Sequence, residues 1–170
     1  LPFDHPLYIL FSSGTTGKPK CIVHGAGGTL IEHLKEQVLH TNVGEHDRIF
    51  YYSSTAWMMW NWHVSALAAG ATLVMYDGSP LHREGHILFD LADQEEVTIF
   101  GTSAKYLSMI EKLKIHPKQS HALDRIHTIL STGSPLLPEQ YKFLLAEGFF
   151  PNTQVSSISG GTDILGCFAL

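Results

Sequence analysis

Six apolar runs of strand length, at 8–11, 48–52, 72–75, 98–100, 126–130 and 154–158, alternate along the chain with stretches of helical periodicity at 29–40, 58–69, 84–93, 103–113 and 138–145. A strand followed by a helix before the next strand cannot return as a tight hairpin. The alternation therefore predicts an α/β fold, with a largely parallel sheet and flanking helices. The last helical stretch opens on Pro138, whose fixed φ suits a first turn. No internal repeat, low-complexity run or Pro/Gly-rich linker divides the 170 residues, so the chain is read as one piece.

Composition narrows the function classes. With 44% hydrophobic and 16% charged residues the chain reads as globular and long enough to bury a core. A net charge of -5 and the lack of a basic block weigh against nucleic acid, because backbone phosphates need clustered Lys and Arg. Any phosphate ligand has to be gripped locally. Cys21 and Cys167 form no spaced motif, which predicts reduced thiols in an intracellular protein. No apolar run approaches the roughly 20 residues that span a bilayer, and the start lacks the basic region of a signal peptide. A start without Met and an end on the apolar "GCFAL" predict an internal piece of a longer chain.

A polar, glycine-rich stretch, "SSGTTGKPK", follows the first strand-like run. Backbone N–H groups and hydroxyls of such a loop can converge on phosphate oxygens, and Lys18 and Lys20 can neutralise their charge. It is not a Walker loop: the spacing from Gly14 to Lys18 is too short, and Pro19 follows the lysine where Ser or Thr is needed. Composition alone admits a phosphate cradle or a plain surface hairpin. Three other features have simple structural readings. The run "WMMWNW" reads as the start of a buried helix, with Trp60 and Trp62 in the core. "HREGH" is not the H-E-x-x-H zinc pattern, and "DQEEV" reads as a solvated helix end. His24 and His127 are read as loop or core residues.

The segment "YILFSSGTTGKPK" resembles the signature phosphate loop of the adenylate-forming superfamily of acyl-CoA synthetases, peptide-synthetase adenylation domains and luciferases. Two further segments resemble motifs of that superfamily in the same order: "STGSPL" the strand-end turn against adenine, and "SGGTD" the motif beside the α-phosphate and metal. The run "AWMMWNWHVSALAAGATLVMYDGSP", with "KCIVHGAGGTLIEHLKE" and "SISGGTDI", is similar to the acetoacetate-ligating branch, and this likeness spans nearly the whole chain.

The resemblance implies a partial AMP-binding (adenylation) domain over 1–170, with the C-terminal domain absent, in a cytoplasmic enzyme. Its substrates would be ATP, acetoacetate and coenzyme A, with Mg²⁺ as the metal. The acid's carboxylate would attack the α-phosphate, giving an acyl-adenylate and pyrophosphate, and the thiol of coenzyme A would then displace AMP. Ser12, Ser13, Gly14, Thr15, Thr16, Gly17 and Lys18 would close over the β and γ phosphates, with Lys20 nearby. Thr15, Lys18, Thr162 and Asp163 would carry the chemistry: Thr162 on the α-phosphate, Asp163 toward the metal. Gly133, Ser134 and Pro135 would form the adenine wall, with Ser159 and Gly161 beside it. Ser159 stands where many relatives place an aromatic, and Asp163 where they often carry Glu. Trp57, Met58, Met59, Thr132 and Gly160 would line the acyl pocket, the Thr132 hydroxyl being offered to a ketone oxygen. Acetyl-CoA synthetases carry a Trp at the position of Gly160, so glycine there implies a deeper pocket. Two alternatives stay open: a synthetase for another short or medium-chain acid, and a non-catalytic nucleotide-binding module. Without the superfamily's ribose-binding Asp motif, hinge and C-terminal Lys, the isolated chain is expected to be inactive.

Overall fold

The structure, a computed structural model, describes residues 1–12, 17–148 and 152–170. Five strands form a wholly parallel sheet: β3 (Arg48–Tyr51), β4 (Thr72–Val74), β5 (Ile99–Ser103), β6 (Thr128–Thr132) and β7 (Gln154–Ser157), in the order β4-β3-β5-β6-β7. The inner strands β3, β5 and β6 are covered on both faces, so consecutive residues such as Ile49 with Phe50, Ile99 with Phe100 and Ile129 with Leu130 are buried rather than alternate ones. Ile49, Tyr51, Ile99 and Leu130 point into one core, while Phe50, Phe100 and Ile129 point into the other. The first core packs against α2 (Met58–Ser65). The second packs against α3 (Ile87–Gln94), α4 (Ala104–Lys112) and α6 (Pro138–Lys142). The chain leaves β3 in one direction and β5 in the other. Their carboxyl ends therefore diverge at the kind of switch point where open α/β sheets hold ligands.

Local chemistry sets the helix ends. The Ser103 hydroxyl accepts the Tyr106 N–H at 3.2 Å to cap α4, and the Gln140 side chain accepts the Leu137 N–H at 2.8 Å to cap α6, with Pro138 in its first turn as expected. α1 (Ala26–Leu34) runs on into a π-helical segment, Lys35–His40. Away from the strands' carboxyl ends, the Asp47 carboxylate accepts from Gly44 N–H, Thr98 Oγ1 and His127 Nε2, at 2.8, 2.7 and 3.0 Å, and so clamps three segments that lead into β3, β5 and β6.

All six expected strands and all five expected helical stretches are present, with ends shifted by a few residues. The first run does not join the parallel sheet. As β1 (Pro6–Ser12) it pairs antiparallel with β2 (Lys20–Gly25), which was not among the expected strands. β8 (Ser159–Gly161) and β9 (Gly166–Ala169) form a second hairpin that was likewise not predicted, and α5 (Pro117–Ser120) is a single turn. β8, three residues of Ser and Gly, carries no apolar period to find.

Candidate active site

The carboxyl ends of β6 and β7 open onto a cleft of about 540 Å³. The turn after β6 supplies Thr132, Gly133, Ser134 and Pro135; Gly133 lies at φ 92°, a left-handed conformation that glycine adopts without a Cβ clash. The end of β7 and the β8–β9 hairpin supply Ser157 to Thr162, Gly166 and Cys167, and the start of α2 supplies Trp57, Met58, Met59 and Trp62. Glu36, from the π-helical segment, completes the lining. The polar turn residues are exposed, whereas Met59, Trp62 and Glu36 are buried, so the cleft has an open polar rim and a closed inner end.

Backbone and side-chain bonds hold these segments in register. Ile158 N–H donates to the Ser131 carbonyl at 2.7 Å, and Leu136 N–H to Ser157 Oγ at 3.3 Å. The β8–β9 turn is tied from two sides: His24 Nε2–H donates to the Thr162 carbonyl at 2.9 Å, and His33 Nε2–H to the Leu165 carbonyl at 2.6 Å. The first of these fixes the β1–β2 hairpin to the segment that carries Thr162. At the inner end the Glu36 carboxyl accepts Trp62 Nε1–H at 2.8 Å and Cys167 N–H at 2.7 Å. Burial raises the Glu36 carboxyl above its ordinary value, against the pull of those donors. The Cys167 thiol is pushed up to about 12, by burial first and then by Glu36.

Every residue expected to line the adenine and acyl sites is on this cleft: Gly133, Ser134, Pro135, Ser159, Gly161 and Thr162, and Trp57, Met58, Met59, Thr132 and Gly160. Ser12, Gly17, Lys18 and Lys20 are on the β1–β2 hairpin and do not line it, and Asp163 is exposed on the turn between β8 and β9. Ser13, Gly14, Thr15 and Thr16 lie outside the described residues.

Three details depart from expectation. The Thr132 hydroxyl donates to the Ile158 carbonyl at 3.1 Å, so its hydrogen is committed to holding β6 on β7 rather than offered to a ketone oxygen. A Cβ at Gly160 would stand 2.1 Å from the Gly166 carbonyl oxygen and 2.7 Å from Cys167 Cα. Glycine there permits the close approach of β9 as well as deepening the cleft. Trp60 is only half-buried, edge-on to His63 at 6.4 Å, while Trp62 is buried as expected but also lines the cleft.

Glu36, Ser157, Ile158, Gly166 and Cys167 were not anticipated as lining residues. For Glu36 a signal existed. Thr29, His33, Glu36 and Gln37 recur at helical spacing and are all buried, a polar stripe facing inward.

A doubly wound parallel sheet with a rimmed cleft at its carboxyl ends, joined to a glycine-rich hairpin, defines a nucleotide-handling α/β domain. The chain belongs to the AMP-binding enzyme family, whose model matches residues 2–170. It is similar to the acetoacetyl-CoA synthetase of Danio rerio, 55% identical over 168 residues, which cover 99% of this chain and 25% of that protein. The acetoacetyl-coenzyme A synthetase of Rhizobium meliloti (strain 1021) is 55% identical over 170 residues, covering 100% of this chain and 26% of its own length. Among solved structures, acetoacetyl-CoA synthetase from Streptomyces lividans superposes with a TM-score of 0.93 at 46% identity, over 99% of this chain and 26% of that one. The chain thus spans about a quarter of the length of the curated relatives it matches. Among the described residues no helix is long and apolar enough to cross a membrane.

Proposed function

We propose that this chain is part of the nucleotide- and acyl-binding domain of a ligase that joins acetoacetate to coenzyme A through an acyl-adenylate. The observation that carries this reading is the single cleft in which a polar rim built from the β6 turn and Thr162 meets an apolar inner end built from α2. Adenine lies against Gly133 to Pro135, and the acyl chain enters between Trp57, Met58 and Met59. The substrate carboxylate is the nucleophile, so no side-chain base is required. What the protein supplies is alignment of that carboxylate on the α-phosphate, and donors and charge for the departing pyrophosphate.

Thr162 donates its hydroxyl to the α-phosphate. Ser12 to Lys18 close over the β and γ phosphates, with Lys20 beside them, and Lys18 and Lys20 extend into solvent from the hairpin where a triphosphate can reach them. Mg²⁺ is commonly held by one or two carboxylates together with substrate phosphates and waters, and the exposed carboxylate of Asp163 next to Thr162 fits that donor set. When bound there, the metal would neutralise phosphate charge. Coenzyme A enters as the second substrate. The two unpaired thiols suit a reducing compartment such as the cytoplasm.

The test is acetoacetate-dependent exchange of labelled pyrophosphate into ATP by the longer protein that carries this chain, against acetate, propionate and butyrate. Preference for acetoacetate is expected. Preference for another acid leaves the adenylation chemistry standing and removes the substrate, and absence of exchange with every acid overturns the reading in favour of a nucleotide-binding module.

A further inference from the structure

The five-stranded sheet does not by itself aim the β1–β2 hairpin at the cleft. Among the described residues β1 and β2 pair with no third strand, and a lone two-stranded hairpin is marginally stable at best, so its position depends on what ties it down. The side chains alternate along it: Leu7, Ile9, Phe11 and Val23 are exposed, while Tyr8, Leu10, Ile22 and His24 are half-buried on the opposite face. From that face His24 Nε2 meets the Thr162 carbonyl at 2.9 Å. The partner is a carbonyl oxygen, which only accepts, so Nε2 carries the hydrogen and donates it. The same oxygen accepts the Leu165 N–H at 3.3 Å and closes the turn. Thr162 lines the cleft, and its hydroxyl is bonded to no other described residue.

We infer that His24 is a positioning residue of the adenylation step, its hydrogen bond to the Thr162 carbonyl holding the Thr162 hydroxyl and the lysine-bearing end of the hairpin in one fixed geometry. The inference rests on the proposed ligase chemistry and names the residue that joins its two phosphate contacts. His24 lies four residues along β2 from Lys20, roughly 13 Å at the usual strand rise. β2 is thus a short arm with the glycine-rich loop at one end and the His24 bond near the other. In-line attack needs the α-phosphate held between the incoming carboxylate and the departing pyrophosphate, so the contacts on either side have to agree in position, and an error of about 1 Å can cost about 10²-fold in rate. The β8–β9 hairpin does not depend on His24 for its place, because His33 donates to the Leu165 carbonyl at 2.6 Å and Glu36 accepts the Cys167 N–H at 2.7 Å. Without His24 both hairpins keep their own bonds, and what is lost is the direct link between them.

The experiment measures kcat and KM for pyrophosphate exchange in the longer protein that carries this chain, with whichever acid the wild type exchanges best, so that an error in the acyl substrate leaves it untouched. His24→Leu and His24→Asn both remove the donor, the asparagine amide falling short of the Nε2 position, whereas His24→Gln places an amide N–H about where Nε2–H stood. His24→Leu and His24→Asn are expected to lower kcat by about tenfold to 10²-fold with the KM for ATP within about twofold of wild type, and His24→Gln to recover most of the loss. Using two loss variants keeps the test valid where one of them fails to fold. Each is also combined with Thr162→Val. If His24 acts through Thr162, the added change in kcat should be less than about twofold, because residues that work as a unit are not additive. The full loss repeated in the Thr162→Val background, an unchanged kcat in both loss variants, or a His24→Gln protein no better than His24→Asn overturns the assignment while leaving the ligase reading intact. A Thr162→Val protein with wild-type kcat removes the contact that His24 is assigned to hold, and the assignment with it. A wild-type protein that exchanges with no acid overturns the proposed function and this assignment together.

Discussion

His33, buried in α1, donates from Nε2 to the carbonyl of Leu165, at 2.6 Å and 132 residues away, and so ties a helix on one side of the cleft to the tip of the β8–β9 hairpin. Leu165 sits at φ 52°, so this carbonyl belongs to a left-handed turn that the histidine helps to hold. The other ring nitrogen, Nδ1, faces the Ser65 hydroxyl at 2.7 Å. A second buried histidine, His63, donates from Nε2 to the Ile49 carbonyl at 3.0 Å.

Stability should fall in mild acid. Burial depresses both His33 and His63 below their ordinary value of 6.5, so the folded state keeps them neutral. Below that value the unfolded chain takes up protons that the folded chain refuses. The contribution is therefore complete above the unfolded pKa and is lost as pH falls through it toward the depressed folded values. Urea midpoints should drop as the medium goes from about pH 7.5 to about pH 5.5. Midpoints that stay level or rise would sink the idea.

The thiols should differ in reactivity. Cys21 is exposed on β2, whereas Cys167 is partly covered and its thiol is pushed up to about 12. The thiolate is the nucleophile, so a limiting alkylating reagent at mildly alkaline pH should label Cys21 well before Cys167. Mass spectrometry of the peptides measures the order, and equal or reversed labelling contradicts the described environment.

Gly160 cannot be exchanged for bulk without moving the hairpin. Its Cβ would fall 2.1 Å from the Gly166 carbonyl oxygen, a backbone atom that no rotamer change can clear. Gly160→Ala should lower the melting temperature, and Gly160→Trp should lose exchange with every acid rather than become an acetate enzyme. A Gly160→Trp protein with wild-type melting and strong acetate exchange would show that β9 gives way more easily than this packing implies.

Lys18 is exposed and should matter for chemistry far more than for folding. If it stabilises charge on the departing phosphates, Lys18→Ala should reduce exchange by about 10²-fold to 10³-fold, the scale of removing one preorganised electrostatic contact. Its thermal midpoint should match wild type. A loss confined to stability would assign the lysine a different role.

The parallel sheet was legible in the sequence because strands buried on both faces carry consecutive apolar residues, as 49–51 and 99–100 do, with helical stretches between them. The turn after β6, the Thr162 segment and the start of α2 could be picked out through their resemblance to family motifs, since each is one contiguous segment. Where those segments meet was decided by the fold. It is long-range pairing that places Thr162 against His24 and Cys167 against Glu36, contacts that span 138 and 131 residues and leave no local mark. The same holds for Thr132. Its hydroxyl looked free for substrate in the sequence, and only the neighbouring strand shows that it donates to Ile158. A side chain's type sets what bonds it can form, but which bond it forms depends on the groups that burial brings within about 3 Å.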